Sequence, residues 1–192
     1  MIPLTAFRCL EGKLDTALSY RELLEITVQG IIHQNMECKT NDELGSFWRM
    51  VQFLNSEGEI NEDADFKIKA VSRFRSTLVS ETIWPEPRKI LYLQKTRIFM
   101  LYKLNAHRNG ETSLPEESLR YYLENSKEYL GEQRMTYHVV KKGNQVLDFE
   151  HRDAKGQPTK MSVQQRSYCF DYEKLVEAFD INLEMTREEN NS

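Results

Sequence analysis

The chain of 192 residues lacks the cysteine and glycine patterns that mark several large classes of protein. Its three cysteines, Cys9, Cys38 and Cys169, are far apart and odd in number. They therefore predict neither a disulfide framework nor a zinc site, and they are typical of a protein in a reducing cytoplasm. None of the eight glycines belongs to a G-x-x-x-x-G-K-[ST] or G-x-G-x-x-G motif, so the sequence carries no recognisable phosphate-binding loop.

Long hydrophobic runs are also missing. No stretch approaches the roughly 18 apolar residues that cross a membrane. The segment Met1–Leu10 contains Pro3, Thr5 and Arg8 and lacks the pattern of a signal peptide. Hydrophobic residues make up 40% of the chain and charged residues 29%, as in folded globular proteins. The sequence therefore predicts a cytoplasmic globular protein with no membrane contact.

Basic residues are not in excess, because 26 Lys+Arg face 30 Asp+Glu and the net charge is −4. The total therefore gives no sign of a strongly basic nucleic-acid binder. The charge is unevenly spread, however. Residues 1–65 carry −7, residues 66–112 carry +7 and residues 113–192 carry −4. The basic middle is either a solvated face that pairs with the acidic ends or a surface that binds a polyanion.

Residues 1–60 have the pattern of a helical subdomain. Ser19–Glu22 and Thr40–Glu43 both have the spacing of a capping box, and apolar residues recur at helical spacing after each. The pattern predicts two amphipathic helices joined by a short polar link, that is, a helical hairpin. Phe47 and Trp48 are expected in its core, because aromatic side chains bury a large area.

Residues 61–87 are predicted to be a strand-containing connector. Asp65–Val71 alternates apolar and polar residues, as a half-buried strand does. Arg73–Val79 is a candidate second strand. Trp84–Pro87 contains two prolines and is expected to break regular structure at a joint between subdomains.

Residues 88–180 have the element order of a winged helix-turn-helix. A helix over Thr96–Arg108 ends before Gly110, and a second helix starts at Ser113–Glu116. Three strand-like runs follow, at residues 134–140, 145–151 and 160–170. The fold class predicted is therefore α+β, an N-terminal helical hairpin followed by a winged helix-turn-helix-like domain with a small antiparallel sheet.

The end of the chain is predicted to hold one more helix and a tail. Asp171–Leu175 begins a helix that is expected to end near Phe179, and residues 181–192 are expected to form a polar tail.

No arrangement of residues predicts catalysis, a metal or a cofactor. Asn61–Asp65 is acidic, but it lacks the central glycine and distal glutamate of an EF-hand loop. In the segment Asp148–Asp153, strand alternation places Asp148, Glu150 and Arg152 on one face, an ordinary charged surface, and His151 on the other. No serine or cysteine has the neighbours of a nucleophile, so the chain is not expected to be an enzyme.

A polyanion contact is the strongest functional candidate, because clustered cations suffice to bind phosphates. The residues proposed for it are Arg73, Arg75, Arg88, Lys89, Lys95, Arg97, Ser118, Arg120, Lys141, Lys142, Lys155 and Lys160. The last four lie on predicted hairpin turns, where a wing would meet phosphates. The stretch 114–133 counts against sequence-specific reading, because its two cations and five acids give a net charge of −3.

The chain also resembles a known family over about residues 2–175. The residues that carry the resemblance are Ile2–Leu10, Ile31–Asn35, Phe47–Trp48, Asp65–Phe66, Ser118–Leu123, Tyr129–Gly131 and Phe170–Tyr172. They resemble the C-terminal region of large primase–helicase type proteins of Bacteroides-like mobile elements and phages. In that family ATPase or primase modules precede this region, and none of their motifs is present here.

The resemblance implies a role in DNA replication or mobilisation and carries over no catalytic residue. Two hypotheses remain open. The chain is a non-catalytic accessory domain that contacts DNA without sequence preference and assists helicase or primase modules. Alternatively, it is a protein–protein docking module in which the winged helix is purely structural.

Overall fold

The computed structural model describes residues 19–141 and 144–184, apart from the side chains of residues 33, 35–41 and 141. The chain divides into two compact units, residues 1–43 and residues 44–192. The described part has four helices, a four-stranded antiparallel sheet and two short hairpins, which confirms the predicted α+β class. None of its helices carries an apolar stretch long enough to span a bilayer.

Helix α1 (Tyr20–Ser56) begins at the first predicted capping box. The Ser19 N–H donates to Glu22 Oε2 at 2.8 Å, and the Glu22 N–H donates to Ser19 Oγ at 3.3 Å. The helix then continues without interruption, so the prediction of two helices over residues 19–58 was wrong. The segment contains no proline, and the capping signal at Thr40–Glu43 is a local preference that cannot by itself end a helix.

The apolar stripe of α1 in the first unit stays largely exposed. Leu24, Val28, Ile31 and Ile32 are each 38–53% exposed, and Leu23 is half-buried. The sequence predicted a buried face at this spacing, because amphipathic helices usually pack their apolar stripe against a core.

The second unit is built on an antiparallel sheet with the strand order β1-β2-β8-β3. Its strands are β1 (Phe66–Phe74), β2 (Thr82–Gln94), β3 (Tyr129–His138) and β8 (Ser162–Asp171). The strand predicted at Asp65–Val71 is confirmed. The candidate strand at Arg73–Val79 is not formed, because β1 ends at Phe74 and a loop follows.

One face of the sheet packs against helices. They are the part of α1 from Leu44 onward, α2 (Lys95–Arg108), α3 (Glu116–Glu124) and α4 (Tyr172–Phe179). Phe47 and Trp48, both 1% exposed, lie in this core as predicted, together with Phe170 from β8. The helices predicted at Thr96–Arg108 and at Asp171 are also confirmed.

The chain returns to this core after α4. Ile181 and Leu183 are 1% and 3% exposed, and the Leu183 N–H donates to Tyr172 Oη at 2.9 Å. These two residues were predicted to belong to a polar tail. The remainder of that predicted tail, residues 185–192, lies outside the described residues.

Strand β2 runs through Pro85 and Pro87, where the sequence predicted a break. The register with β1 jumps from Val71↔Arg88 to Arg73↔Ile83, so residues 84–87 bulge out opposite a single residue. Pairing with β8 begins only at Ile90. The prolines are tolerated because no ladder hydrogen bond is required of them there.

Strands β3 and β8 form a long ribbon whose far end carries two short hairpins. The hairpin strands are β4 (Val140–Lys141) with β5 (Asn144–Gln145), and β6 (Leu147–Arg152) with β7 (Pro158–Lys160). Backbone hydrogen bonds of 2.8 Å among Val139, Val146 and Met161 join the hairpins to the ribbon. We refer to β3 and β8 as the ribbon and to residues 139–161 as the distal hairpins.

The loop between β1 and β2 crosses the sheet and covers the free edge of β3 at Gly131. The Thr77 N–H donates to the Glu132 carbonyl at 3.1 Å, and the Glu132 N–H donates to Thr77 Oγ1 at 2.9 Å. Gly131 has a φ of +105°, and a Cβ there would lie 2.5 Å from Ser76 Oγ. The position therefore requires glycine for both its backbone conformation and its contacts.

Replacing Gly131 with alanine is expected to lower the free energy of unfolding by about 3 kcal/mol, from backbone strain plus the steric clash. Urea denaturation measures this loss. Gly156→Ala is the matched control, because Gly156 has a φ of +78° but a Cβ added there would meet no atom within 4 Å. A similar loss in both variants would show that the contact with Ser76 contributes nothing.

Candidate nucleic-acid interface

Most of the cations predicted to bind a polyanion are paired with carboxylates. Arg73 Nε on β1 lies 3.3 Å from Glu81 Oε1, in the loop that leads to β2. Lys89 Nζ lies 2.8 Å from Glu184 Oε1, and this hydrogen bond raises the pKa of Lys89. Such exposed pairs add little stability, but they lower the positive potential of the surface.

Arg88 and Arg97 also have structural partners. Arg88 Nη1 lies 3.5 Å from the buried Asp171, and its guanidinium carbon lies 5.4 Å from the Trp84 ring centroid. Arg97 Nε donates to Asp65 Oδ1 at 3.1 Å. Burial raises the pKa of Asp65, and the hydrogen bonds it accepts oppose that rise. Both arginines therefore neutralise carboxylates that the fold has buried.

Asp65 belongs to the acidic segment Asn61–Asp65. Its second carboxylate oxygen accepts a hydrogen bond from the Asn61 N–H at 2.9 Å. The carboxylate is thus used within the turn that leads into β1.

Helix α3 presents few positive groups. Arg120 Nε lies 3.8 Å from Glu124 Oε1, one turn along the helix, and Ser118 is half-buried. Glu116 and Glu117 occupy the first turn, where negative charge favours the helix dipole. These charges stabilise α3 and leave it little positive charge with which to bind the edges of bases.

The ribbon instead carries one unpaired cation, Arg134, and one loosely paired cation, Arg166, among the described residues. Arg134 and Arg166 lie directly opposite each other on β3 and β8, and both are exposed. Arg134 has no carboxylate within ion-pair distance in the part of the chain that the structure describes. Arg166 has only Glu132, with an N···O distance of 3.9 Å. Like charges at directly opposed positions destabilise a sheet, so this pair is costly unless an anion binds there.

The distal hairpins carry further unpaired cations. Lys155 and Lys160 are exposed, and neither has an ion-pair partner among the described residues. Arg75, in the loop beside β3, is exposed and is likewise unpaired in the described ranges. The side chain of Lys141 and all of Lys142 lie outside what the structure describes, so their predicted contacts stay predictions.

An exposed aromatic residue accompanies these lysines. Phe149 on β6 is 69% exposed, and Leu147, on the same strand and paired with Lys160, is 45% exposed.

Two of the nearby acids, Asp148 and Asp153, accept local hydrogen bonds. Asp148 Oδ2 lies 2.9 Å from His151 Nδ1, and this contact lowers the pKa of Asp148. Strand alternation predicted His151 on the opposite face from Asp148, and this prediction was wrong because the register of β6 with β7 is irregular between Asp148 and Arg152.

A pocket of about 270 Å³ opens beside the ribbon, between α2, α3 and β8. Lys95, Arg120 and Arg166 are among its lining residues, and Tyr168 is its most deeply buried polar one, at 6% exposure. Lys95 forms an ion pair with Glu132, and its Nζ lies 4.4 Å from the Tyr168 ring centroid.

Sequence reasoning missed Arg134, Arg166, Phe149 and Tyr168. The positions of the two arginines in opposed strands follow only from the register of β3 and β8. Strand alternation in the sequence would have placed Phe149 on one face of its strand, but it could not show that nothing covers this face.

No protein-family model, curated protein or solved structure matches this chain.

Proposed function

We propose that this chain is a non-catalytic accessory domain that binds DNA through the phosphate backbone, using the ribbon and the distal hairpins. The observation that carries the proposal is Arg134 directly opposite Arg166, with no carboxylate closer than 3.9 Å to either among the described residues. The ribbon and the distal hairpins, residues 129–171, contain seven Lys+Arg and five Asp+Glu, a net charge of +2 in a chain whose total is −4. Clustered cations of this kind bind phosphates with little dependence on base sequence.

The order of elements supports a winged-helix-like arrangement. Strand β2 is followed by α2, α3, β3 and β8, and the sheet places β8 between β2 and β3. In a winged helix-turn-helix the hairpin after the second helix contacts the DNA backbone. The acidic surface of α3 favours a contact through the hairpin over one through a base-reading helix.

The resemblance to primase–helicase proteins supports the biological setting. In that setting the domain works in the cytoplasm, beside ATPase, helicase or primase modules of the same protein or of a partner. Its part is to hold DNA while those modules act.

The proposal is tested by titrating fluorescent single-stranded and double-stranded DNA with the full chain at two salt concentrations. With about four phosphate contacts, affinity is expected to fall about 100-fold between about 50 mM and about 200 mM salt. Changing the base sequence at constant length is expected to leave the affinity unchanged. Binding that is indifferent to salt would contradict the proposal.

A docking function is the second candidate, and the exposed apolar side chains favour it. Five aliphatic residues of α1 in the first unit are exposed, and the distal hairpins expose Leu147, Phe149 and Met161. Apolar residues exposed in groups often mark protein contacts. No binding of either DNA at the lower salt concentration would favour this function over the first.

A further inference from the structure

The pocket beside the ribbon joins an apolar wall to a set of hydrogen-bond donors and to one carboxylate, that of the exposed Glu116. Ile98, Leu119 and Leu123, each no more than 2% exposed, form the wall with the half-buried Phe99. The volume of about 270 Å³ lies just below the range of pockets that enclose drug-sized ligands. It therefore suits one charged group together with part of the molecule that carries it.

Tyr168 contributes an unused donor to this pocket. It is 6% exposed, and its hydroxyl has no hydrogen-bond partner in the described part of the chain. Among the described residues, Ser126 Oγ is the fully buried side-chain atom that has no hydrogen-bond partner. The Tyr168 hydroxyl also has none among them, so it is not fully buried and a ligand can reach it. Burial raises the pKa of Tyr168, so the hydroxyl stays protonated at neutral pH and remains a donor.

The beginning of α2 lies at the same pocket. Lys95 and Thr96 line it, and Gln94, the residue that precedes the helix, makes no side-chain cap. The first turn of this 14-residue helix contains no acidic residue. The first N–H groups of an α-helix have no partner within the helix, so together with the helix dipole they favour an anion there.

We infer that the pocket binds a phosphate monoester: the terminal phosphate of a nucleic-acid strand or that of a free nucleotide. A monoester dianion has three terminal oxygens, which can accept hydrogen bonds from the guanidinium groups of Arg120 and Arg166, the Tyr168 hydroxyl and the start of α2. It competes for Arg120 with Glu124, whose Oε1 lies 3.8 Å from Arg120 Nε. The nucleoside part would lie on the apolar wall. Binding of the terminal phosphate of a nucleic-acid strand rests on the proposed function, whereas binding of a free nucleotide does not.

The position of Glu132 leads to a specific prediction about phosphate affinity at this site. Its carboxylate pairs with Lys95 and lies 3.9 Å from Arg166, so it contacts two of the cations that line the pocket. An incoming monoester competes with Glu132 for these groups. Glu132→Gln keeps the shape of the side chain and removes this competition, so it is expected to increase phosphate affinity.

The experiment compares a 5′-phosphorylated single-stranded oligonucleotide, its 3′-phosphorylated isomer and their unphosphorylated twin, with adenosine monophosphate as the free nucleotide. One terminal phosphate is expected to increase affinity about tenfold over the twin. The preference is expected to fall below about pH 6, where a phosphate monoester gains a proton. It is expected to disappear in Arg120→Gln, to weaken in Tyr168→Phe and to increase in Glu132→Gln.

Lys69→Gln is the matched control, because Lys69 is an exposed cation on β1 that does not line the pocket. It is expected to keep the full preference. If adenosine monophosphate binds, Arg120→Gln abolishes that binding and no oligonucleotide binds, the result supports the inference and contradicts the proposed function. Equal affinities for the phosphorylated and unphosphorylated oligonucleotides, together with no binding of the mononucleotide, overturn the inference. A preference that persists in Arg120→Gln and Arg166→Gln also overturns it.

Discussion

Replacing Arg134, Lys155 and Lys160 together with glutamine is expected to weaken DNA binding about 100-fold at about 50 mM salt. Each of the three side chains is exposed and has no ion-pair partner among the described residues. Removing three phosphate contacts makes the negative slope of log affinity against log salt shallower by about 2.7, since each contact contributes about −0.9. The fold should tolerate the change, because neutralising Arg134 relieves its repulsion with Arg166.

The matched control replaces Arg73, Lys89 and Arg108 with glutamine. It changes the net charge by the same amount, but each of these cations already pairs with a surface carboxylate, at 3.3 Å, 2.8 Å and 2.7 Å. The control is therefore expected to lose less than about threefold in affinity, because screened and paired charges add little to phosphate binding. Fluorescence anisotropy at two salt concentrations measures both variants. Equal losses would show that net charge, and not the ribbon and distal hairpins, governs binding.

Replacing Trp48 with alanine is expected to lower the free energy of unfolding by about 4 kcal/mol. Trp48 is 1% exposed and joins three elements of the second unit. Its ring centroid lies 5.1 Å from that of Phe170 on β8, with the planes at 90°, and 6.4 Å from that of Phe179 on α4. The loss is a large part of the roughly 5–15 kcal/mol that stabilises a typical domain.

Thermal and urea denaturation measure this loss, which corresponds to a fall of about 10 °C in the melting temperature. Phe53→Ala is the control, because Phe53 is an aromatic residue of the same helix that is 50% exposed. It is expected to change stability by about 1 kcal/mol or less. A small loss in Trp48→Ala would mean that α1 does not anchor the sheet through this side chain.

Local patterns predicted several elements correctly because neighbouring residues determine them. The capping box Ser19–Glu22 forms the hydrogen bonds that its spacing predicted, and Asp171 caps α4. The alternation at Asp65–Val71 gives a strand, and Phe47 and Trp48 lie in the core. Each of these outcomes depends on a few adjacent side chains and on the preference of apolar groups for burial.

The wrong predictions concern where a helix or a strand is interrupted. Two capping signals suggested two helices, but α1 continues through the second, since nothing in that segment prevents a helix. Two prolines suggested a break, but β2 accommodates them in a bulge whose backbone donors are not needed. Whether a capping box or a proline interrupts an element depends on which backbone hydrogen bonds the surrounding structure requires.

The sequence by itself determined the charge distribution, the α+β class and the absence of a known motif for catalysis or nucleotide binding. Only the tertiary structure decided which cations are available. Folding brought Arg88 to Asp171, Arg97 to Asp65 and Lys95 to Glu132, across 83, 32 and 37 positions of the chain. It left Arg134 and Arg166 opposed in register on the ribbon. A charge count adds residues independently, whereas the potential that a phosphate meets depends on distances between groups remote in sequence, which the pairing of strands sets.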